Sequence, residues 1–595
     1  MSLAPSLLRI GVILLIAAAC ARAASGYESV LPSDAVKRYA AGFANDSYGR
    51  LEIIPTRGQP FDRSLRVHTL RRPKKSYDLQ LSVKTKRTLH DGELLLARFH
   101  ARARGLLFPK ARAEFVFERA GNGYEKSSLY PFEADSRWRL FEHVFRVQGD
   151  YKAGEAQVNF RLGFNRQTME IGGVELLRLP EGPLPSNIRL TRLSYDGRKT
   201  SALWRIAAER RIERHRKGNV TVEVVDARGR PVPDAAVRLR MIRHAFRFGA
   251  AVSARYLQSG PATRNKRLYR SEIIRLFNAA VIDNALKWSQ WNNQKHWAVE
   301  TVRWLRHHGL AVRGHNLVWP GWSHLPDELR RLEKNPQELN RAIEKHISEE
   351  AGLLSGQIAE WDVVNEPYDN HDLTDLLWDW SLAEWFRWAR KADPRARLFV
   401  NDTGVLNRGG EDLSHQEGYE RIIRSLIQYK APLDAIGLQA HFDRRLTAPS
   451  KLAAILDRFA RFGKPLTITE FDIDVPDESL RADYLRDFMT ICFSHPAVDG
   501  IFLWEFWEGI VSGNPRAALI FDKNWTLKPS GKVWERLVFT QWWTDVKGKT
   551  DRAGRLSARG FLGTYVISAE GPDGRYQEVR AQLVLGETRV VVALK

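Results

Sequence analysis

Residues 361–367 read Trp361-Asp-Val-Val-Asn365-Glu366-Pro367, a short apolar run that ends abruptly in Asn-Glu-Pro. The two valines favour a buried strand, and the proline stops it. Parallel α/β barrels carry their reactive side chains at the C-terminal ends of such strands. One Asn-Glu-Pro is weak evidence alone, so the rest of the chain has to supply a second carboxylate at the end of another strand.

Seven further apolar runs share this strand-like character, and the segments between them are long enough for one helix each. Alternating strands and helices are typical of parallel α/β architecture, and eight such units indicate a (β/α)8 TIM barrel. We place this barrel at residues 246–543. The eight runs are 246–252, 277–282, 310–319, 361–366, 398–403, 435–442, 466–473 and 500–506.

The chain outside the barrel is predicted to be mostly β. Residues 27–195 contain runs that alternate with period two, such as Val158-Asn-Phe160-Arg-Leu162, which is typical of an all-β, jelly-roll-like sandwich. The strand layout resembles galactose-binding-like carbohydrate-binding modules, and a structural sandwich without a ligand is the alternative. Residues 196–245 predict a β-linker, and residues 544–595 a short β-rich tail.

Length, charge and cysteine content exclude several classes of protein. The 595 residues are too many for one ordinary domain. The net charge of +22 comes from scattered basic residues without a compact Lys/Arg block, which argues against nucleic-acid binding. With Cys20 and Cys492 as the only cysteines, no disulfide framework is possible.

The first 23 residues have the pattern of a secretory signal peptide. Arg9 precedes an apolar run at 10–19, and Ala21-Arg-Ala23 is a small-x-small cleavage site. The run is too short to span a membrane, and no later stretch could do so. We therefore expect a secreted or periplasmic protein, with lipoprotein anchoring at Cys20 as the alternative.

Polar side chains follow nearly every one of the eight runs. Because the C-terminal ends of barrel strands meet at one face, these side chains should converge on one cleft. In strand order from the second to the eighth, they are Asp283, Asn284 and Lys287; His315 and Trp319; Asn365 and Glu366; Asn401 and Asp402; Gln439 and His441; Glu470 and Asp472; and Trp504.

Glu366 and Glu470 stand at the ends of the fourth and seventh runs, roughly opposite each other across the barrel mouth. A single glutamate at this rim is more often an ion-pair partner. A facing pair suits a retaining glycosidase, in which two carboxyls about 5–5.5 Å apart flank the glycosidic bond. One carboxyl must stay protonated as the acid, and the other must be ionised to attack the anomeric carbon.

Five motifs, in order along residues 246 to about 540, resemble those of the family 10 glycoside hydrolases, which are endo-β-1,4-xylanases. They are Asp283-Asn284-Ala-Leu-Lys287-Trp288, Arg313-Gly-His315-Asn-Leu-Val-Trp319, Trp361-Asp-Val-Val-Asn365-Glu366, Gly437-Leu-Gln439-Ala-His441 and Thr469-Glu470-Phe-Asp472.

The resemblance implies a role for each candidate residue. Glu366 would be the general acid/base and Glu470 the nucleophile, and Asn365 would hydrogen-bond the sugar 2-hydroxyl. His441 would hydrogen-bond Glu470, with Asp472 behind it. Trp504 would form a stacking wall near the cleavage point. Sugar hydroxyls on the non-reducing side would be bound by Asn284, Lys287, His315, Trp319 and Gln439.

The sequence departs from the family pattern in the outer cleft. Asp283 stands where Glu is usual, Pro320 follows Trp319 where His is usual, and Thr403 stands where an aromatic is usual. The loop from Glu508 to Leu519 lacks the usual second Trp. These changes concern sugar contacts and leave both carboxyls in place.

We therefore expect a retaining endo-β-1,4-xylanase that needs no metal or organic cofactor. Its partner would be a polysaccharide, xylan or a related β-glycan, and we expect a monomer. Two alternatives stay open. The same mechanism could act on another β-glycan, such as a mixed-linkage glucan or a substituted xylan. The barrel could also be catalytically silent and only bind carbohydrate.

Overall fold

A computed structural model describes the protein over residues 27–595, apart from 44–46, 74, 106–109, 122, 124, 192, 379 and 512–514. The predicted signal peptide at 1–23, including Cys20, lies outside the described residues. The chain divides between Leu193 and Ser194 into two compact units. Among the described helices, none combines the length and the apolar character that crossing a bilayer requires.

Two antiparallel sheets build the described part of the first unit, so the predicted all-β sandwich is confirmed. They enclose an aromatic core in which the Phe160 ring lies 5.0 Å from Phe99 and 5.8 Å from Phe115. One short helix, Ala35–Ala41, precedes the sheets. In spatial order, the sheets are Gly49–Pro55, Arg63–Thr69, Gln167–Leu179, Leu94–Arg104 and Arg139–Arg146; and Gln80–Lys84, Ala156–Arg161, Ala111–Arg119 and Lys126–Ala134.

Eight parallel strands of the second unit close into a barrel in chain order, which confirms the predicted TIM barrel. The observed ends lie within three residues of the predicted ones. The second strand, for example, begins after Phe277, because that residue caps the preceding helix. The strands are Arg247–Val252, Ala279–Ile282, Ala311–Val318, Glu360–Asn365, Arg397–Asp402, Ala435–Phe442, Leu466–Ile473 and Val498–Leu503.

Helices cover the outside of the barrel, which explains why its strands are buried on both faces. All six residues of the fourth strand, for instance, are buried. The helix Ser381–Ala392 buries Leu382, Trp385, Phe386 and Ala389, a stripe with helical spacing. The other α-helices of the second unit are Trp204–His215, Ala254–Gln258, Arg264–Leu276, Trp288–His307, Pro336–Leu353, Asp372–Leu377, Leu413–Gln428, Pro449–Ala460, Glu478–Ser494 and Pro529–Arg536.

Strands from before and after the barrel pair with each other. Lys217–Val225 pairs with Arg555–Phe561 and with Glu587–Ala593. Ala236–His244 pairs with Asp545–Lys549 and with Gly563–Glu570, which in turn pairs with Tyr576–Leu583. The segment predicted as a linker and the β-rich tail thus form two small sheets together.

Candidate active site

Glu366 follows the last residue of the fourth barrel strand in a left-handed backbone conformation, with φ of 49°. This conformation is unfavourable for a residue with a side chain, and hydrogen bonds hold it. The Glu366 N–H donates to the Asn401 carbonyl at 2.7 Å, and the Asn370 N–H donates to the Glu366 carbonyl at 3.0 Å. The turn aims the Glu366 side chain into the barrel mouth.

The Glu366 carboxylate is half-buried and accepts hydrogen bonds from two amides. Gln439 Nε2 donates to Oε1 at 2.9 Å, and Asn370 Nδ2 lies 3.4 Å from Oε2. Burial raises the pKa of Glu366, and the negative charge of Glu470 raises it further. Glu366 is therefore suited to hold a proton in the resting state.

Glu470, on the seventh strand, is buried and has cations and donors around it. Asn401 Nδ2 donates to its Oε1 at 2.9 Å, and His441 Nε2 lies 3.2 Å from its Oε2. Burial alone would raise the pKa of Glu470, but His315, His441 and Lys287 together lower it to about 2. Glu470 is therefore ionised at neutral pH.

His441 lies between two carboxylates, because its Nδ1 is 2.7 Å from Asp472 Oδ2 while its Nε2 faces Glu470. Burial opposes its charge, but the two carboxylates raise the pKa of His441 well above its ordinary value. Both ring nitrogens then carry protons and donate. Asp472 thus fixes the imidazolium that keeps Glu470 ionised.

Asn401 links the two halves of the site. It donates to Asn365 Oδ1 at 2.9 Å as well as to Glu470, and the Thr469 hydroxyl donates to its Oδ1 at 2.7 Å. Asn365 Nδ2 is buried and has no hydrogen-bond partner within the described structure. A buried donor without a partner costs about 1–3 kcal/mol, so this position favours a ligand that offers an acceptor.

A buried network of charged side chains connects the third and fourth strands. Arg313 is hydrogen-bonded to Asp362 and lies 3.1 Å from Glu360. Asp362 Oδ2 lies 2.9 Å from His315 Nδ1, and that nitrogen is 3.9 Å from Glu470 Oε1. The network therefore fixes the His315 ring beside the ionised carboxylate.

A cavity of about 420 Å³ opens beside the carboxylates. Lys287 Nζ donates to Asn284 Oδ1 at 2.8 Å and lies 5.3 Å from the Trp319 ring and 5.8 Å from the Trp504 ring. Burial lowers the pKa of Lys287, and three carboxylates oppose that effect. The lining residues are Ser253, Arg255, Asp283, Asn284, Lys287, Ser289, Gln290, Gln294, Trp319, Ser323 and His324.

Two departures from the family pattern have visible consequences here. Asp283 accepts the Asn284 N–H at 2.7 Å, and burial raises its pKa. Pro320 has no imidazole that could hydrogen-bond a sugar, but the His324 ring stacks on Trp319 with centroids 3.6 Å apart. His324 also hydrogen-bonds Asn370, the neighbour of Glu366.

The third departure from the family pattern is Thr403, which follows the fifth strand. Its N–H donates to Asp402 Oδ1 at 2.8 Å. His415 Nε2 lies 3.1 Å from the same oxygen, and the Tyr368 ring lies 4.3 Å from the His415 ring. Tyr368 thus supplies a half-exposed aromatic ring on the side where position 403 has none.

All eleven predicted site residues meet at this end of the barrel. Trp504 completes the set, with its ring 5.5 Å from His315 and 6.0 Å from His441. Among the described residues, no group of three or more His, Cys, Asp or Glu side chains is arranged to hold a metal ion. The predicted site residues are Asn284, Lys287, His315, Trp319, Asn365, Glu366, Gln439, His441, Glu470, Asp472 and Trp504.

The sequence places Asn401 at the cleft but does not predict its bond to Glu470, which links the fifth and seventh strands of the barrel. Other supporting residues were not predicted. Asn370 and His324 lie in loops, where spacing carries no such signal. Arg313 belongs to the motif Arg313-Gly-His315, yet only the structure pairs it with Asp362.

Comparison with known proteins gives a consistent result. The model of the family described as Glycosyl hydrolase family 10 matches residues 239–534. Endo-1,4-beta-xylanase B of Thermotoga neapolitana is 30% identical over 284 residues, which cover 43% of this chain and 79% of that protein.

Two longer relatives match over more of this chain. The anti-sigma-I factor RsgI6 of Acetivibrio thermocellus is 32% identical over 389 residues, which are 63% of this chain and 48% of that protein. Endo-1,4-beta-xylanase 1 of Arabidopsis thaliana is 28% identical over 370 residues, 60% of this chain and 37% of that protein. The chain thus spans less than half the length of each of these two relatives.

Proposed function

From the premise that this chain belongs to glycosyl hydrolase family 10, we propose that it is a retaining endo-β-1,4-xylanase that acts by double displacement. The proposal rests on one observation: the pKa values of two carboxyls in one hydrogen-bond network are shifted in opposite directions. The pKa of Glu366 is raised by burial and by the Glu470 charge, whereas neighbouring cations lower that of Glu470 to about 2.

In the first step, a Glu470 oxygen attacks the anomeric carbon and forms a glycosyl ester. The bond from that carbon to the bridging oxygen breaks, and Glu366 gives its proton to the departing oxygen. Asn401 and His441 hold the two Glu470 oxygens, so the attacking group needs little reorganisation. Asn365 Nδ2 is free to donate to the sugar 2-hydroxyl, an interaction that strengthens in the transition state.

In the second step, Glu366 changes role. Once Glu470 is an ester its charge is gone, and with it one of the causes that raise the pKa of Glu366. The now ionised Glu366 takes a proton from water, which attacks the anomeric carbon and releases Glu470. The charge of one carboxyl thus sets the protonation of the other in each half of the cycle.

The remaining assignments follow from the same premise. Lys287, Asn284, Trp319, His315 and Gln439 would bind sugar on the non-reducing side, with Trp504 as a stacking wall. We further propose that the first unit is a carbohydrate-binding module and that the protein is exported as a monomer. A bound module raises the local concentration of enzyme on its polymer.

Product analysis tests the proposal. Early products from xylan, followed by ¹H NMR, should keep the β-configuration, and Glu470→Ala and Glu366→Ala should each be nearly inactive. Exposed Glu300, replaced by alanine, is a matched control that should retain activity. Early α-products, an active Glu470→Ala variant, or binding of xylan without hydrolysis of any glycoside would overturn the proposal.

A further inference from the structure

The cavity beside the carboxylates extends beyond the groups that the proposed reaction uses. Gln290 and Gln294, which are linked by a 2.8 Å hydrogen bond on the helix Trp288–His307, line part of it. Arg255, on the helix Ala254–Gln258, lines it as well. This part of the cavity therefore carries two amides and a guanidinium.

The Arg255 guanidinium is exposed and, within the part of the chain that the structure describes, forms no ion pair. The ring centre of the half-exposed Trp297 lies 6.0 Å from this guanidinium. The cavity's other fixed cation, Lys287, is balanced by the charges of Glu470, Asp283 and Glu366. The positive charge of Arg255 has no such balance.

Among the described lining residues, the one carboxylate is that of Asp283, and it forms no ion pair with Arg255. Its carboxylate accepts hydrogen bonds from the Asn284 N–H and from Ser253, and burial raises its pKa. An unbranched xylan offers only hydroxyl groups, which do not require a full positive charge. A guanidinium pairs best with a planar anion, through two parallel hydrogen bonds to a carboxylate.

We propose that Arg255 recognises the carboxylate of a uronic acid that branches from the sugar chain on the non-reducing side of the cleavage point. Trp297 offers an aromatic face to the branch ring, and Gln290 and Gln294 offer amide groups to its hydroxyls. The substrate class is then a glucuronate-substituted xylan. The inference rests on the proposed xylanase function, and the net charge of +22 favours approach of an anionic polymer.

The test uses two branched xylo-oligosaccharides that differ in one group. One carries a glucuronate branch, and in the other the carboxyl is reduced to the alcohol, which gives a glucose branch of the same size. We expect the wild type to prefer the acidic form in kcat/KM. In Arg255→Gln the ratio of the two kcat/KM values should fall about 5- to 10-fold, as expected for loss of a charge-assisted pair.

Two further variants sharpen the result. Arg255→Lys keeps the charge but loses the planar pairing, so part of the preference should return. Arg303→Gln removes an exposed arginine of the helix Trp288–His307. Arg303 is paired with Glu300 and does not line the cavity. This control should keep the wild-type ratio. High salt should reduce the wild-type preference, because it screens an exposed pair.

Equal rates of the wild type on both substrates, or a proportional loss on both in Arg255→Gln, would overturn the inference while the xylanase proposal stands. Failure of the wild type to hydrolyse either substrate or unbranched xylan would instead overturn the xylanase proposal, and the inference with it.

Discussion

Replacing Gln439 by leucine should move the alkaline limit of activity to higher pH. Gln439 Nε2 donates the shorter of the two side-chain hydrogen bonds to the Glu366 carboxylate, at 2.9 Å. That bond stabilises the charged form and lowers the pKa of Glu366, against burial and the Glu470 charge. Leucine has a similar volume but no donor, so the pKa of Glu366 should rise.

The size of the shift follows from the lost bond. A hydrogen bond to a charged group contributes about 1.5–3 kcal/mol, and one pKa unit corresponds to about 1.4 kcal/mol. We therefore expect the pKa of Glu366 to rise by about 1–2 units. The general acid must be protonated to act, so activity is lost above this pKa and the alkaline limb moves upward by the same amount.

The assay measures kcat/KM on an aryl xylobioside with a poor leaving group from about pH 4 to 9. A matched substrate with a very acidic leaving group serves as the control, because it departs without a proton from Glu366. The limb should shift on the first substrate and stay nearly unchanged on the second. An unchanged limb, or a shift to lower pH, in a folded Gln439→Leu variant would refute the assignment of Glu366 as the acid.

Three further outcomes are expected. Replacing His441 by Asn removes a donor and a charge that hold the pKa of Glu470 low, so the acidic limb of kcat/KM should rise by about 1 unit. Asn365→Ala should lower kcat about 10²-fold with little change in the binding of unreacted oligosaccharide, measured by calorimetry, because its bond strengthens in the transition state. Arg205 donates two hydrogen bonds of 2.6 Å to the buried Asp487 carboxylate. Asp487→Ala removes this partner, so it should lower the free energy of unfolding, measured by denaturant titration, by about 3 kcal/mol.

The barrel was predictable because its signal is local. Each strand is a short run with a helix-length segment after it, and the second strand begins later than predicted because Phe277 caps the preceding helix. Glu366 and Glu470 were predictable for the same reason, since each lies close to the C-terminal end of its own strand, Glu366 just after Asn365 and Glu470 three residues before Ile473.

The sequence does not reveal which distant segments pair with each other. Lys217–Val225 pairs with Glu587–Ala593, although the entire barrel lies between these two strands in the sequence. Nothing in either strand's own sequence identifies the other as its partner. The same holds for Asn401, whose bond to Glu470 requires the fifth and seventh strands to face one cleft. Local patterns therefore predict the elements, and contact between them sets the supporting network of the site.

Trapping the glycosyl-enzyme tests the central claim most directly. A 2-fluoro xylobioside with a good leaving group should react once with the protein and then hydrolyse slowly, because fluorine destabilises the positively charged transition state. Mass spectrometry of peptides should find one fluorinated disaccharide on Glu470. An adduct on Glu366 instead, or an active enzyme that forms no adduct and releases inverted product, would contradict the double displacement.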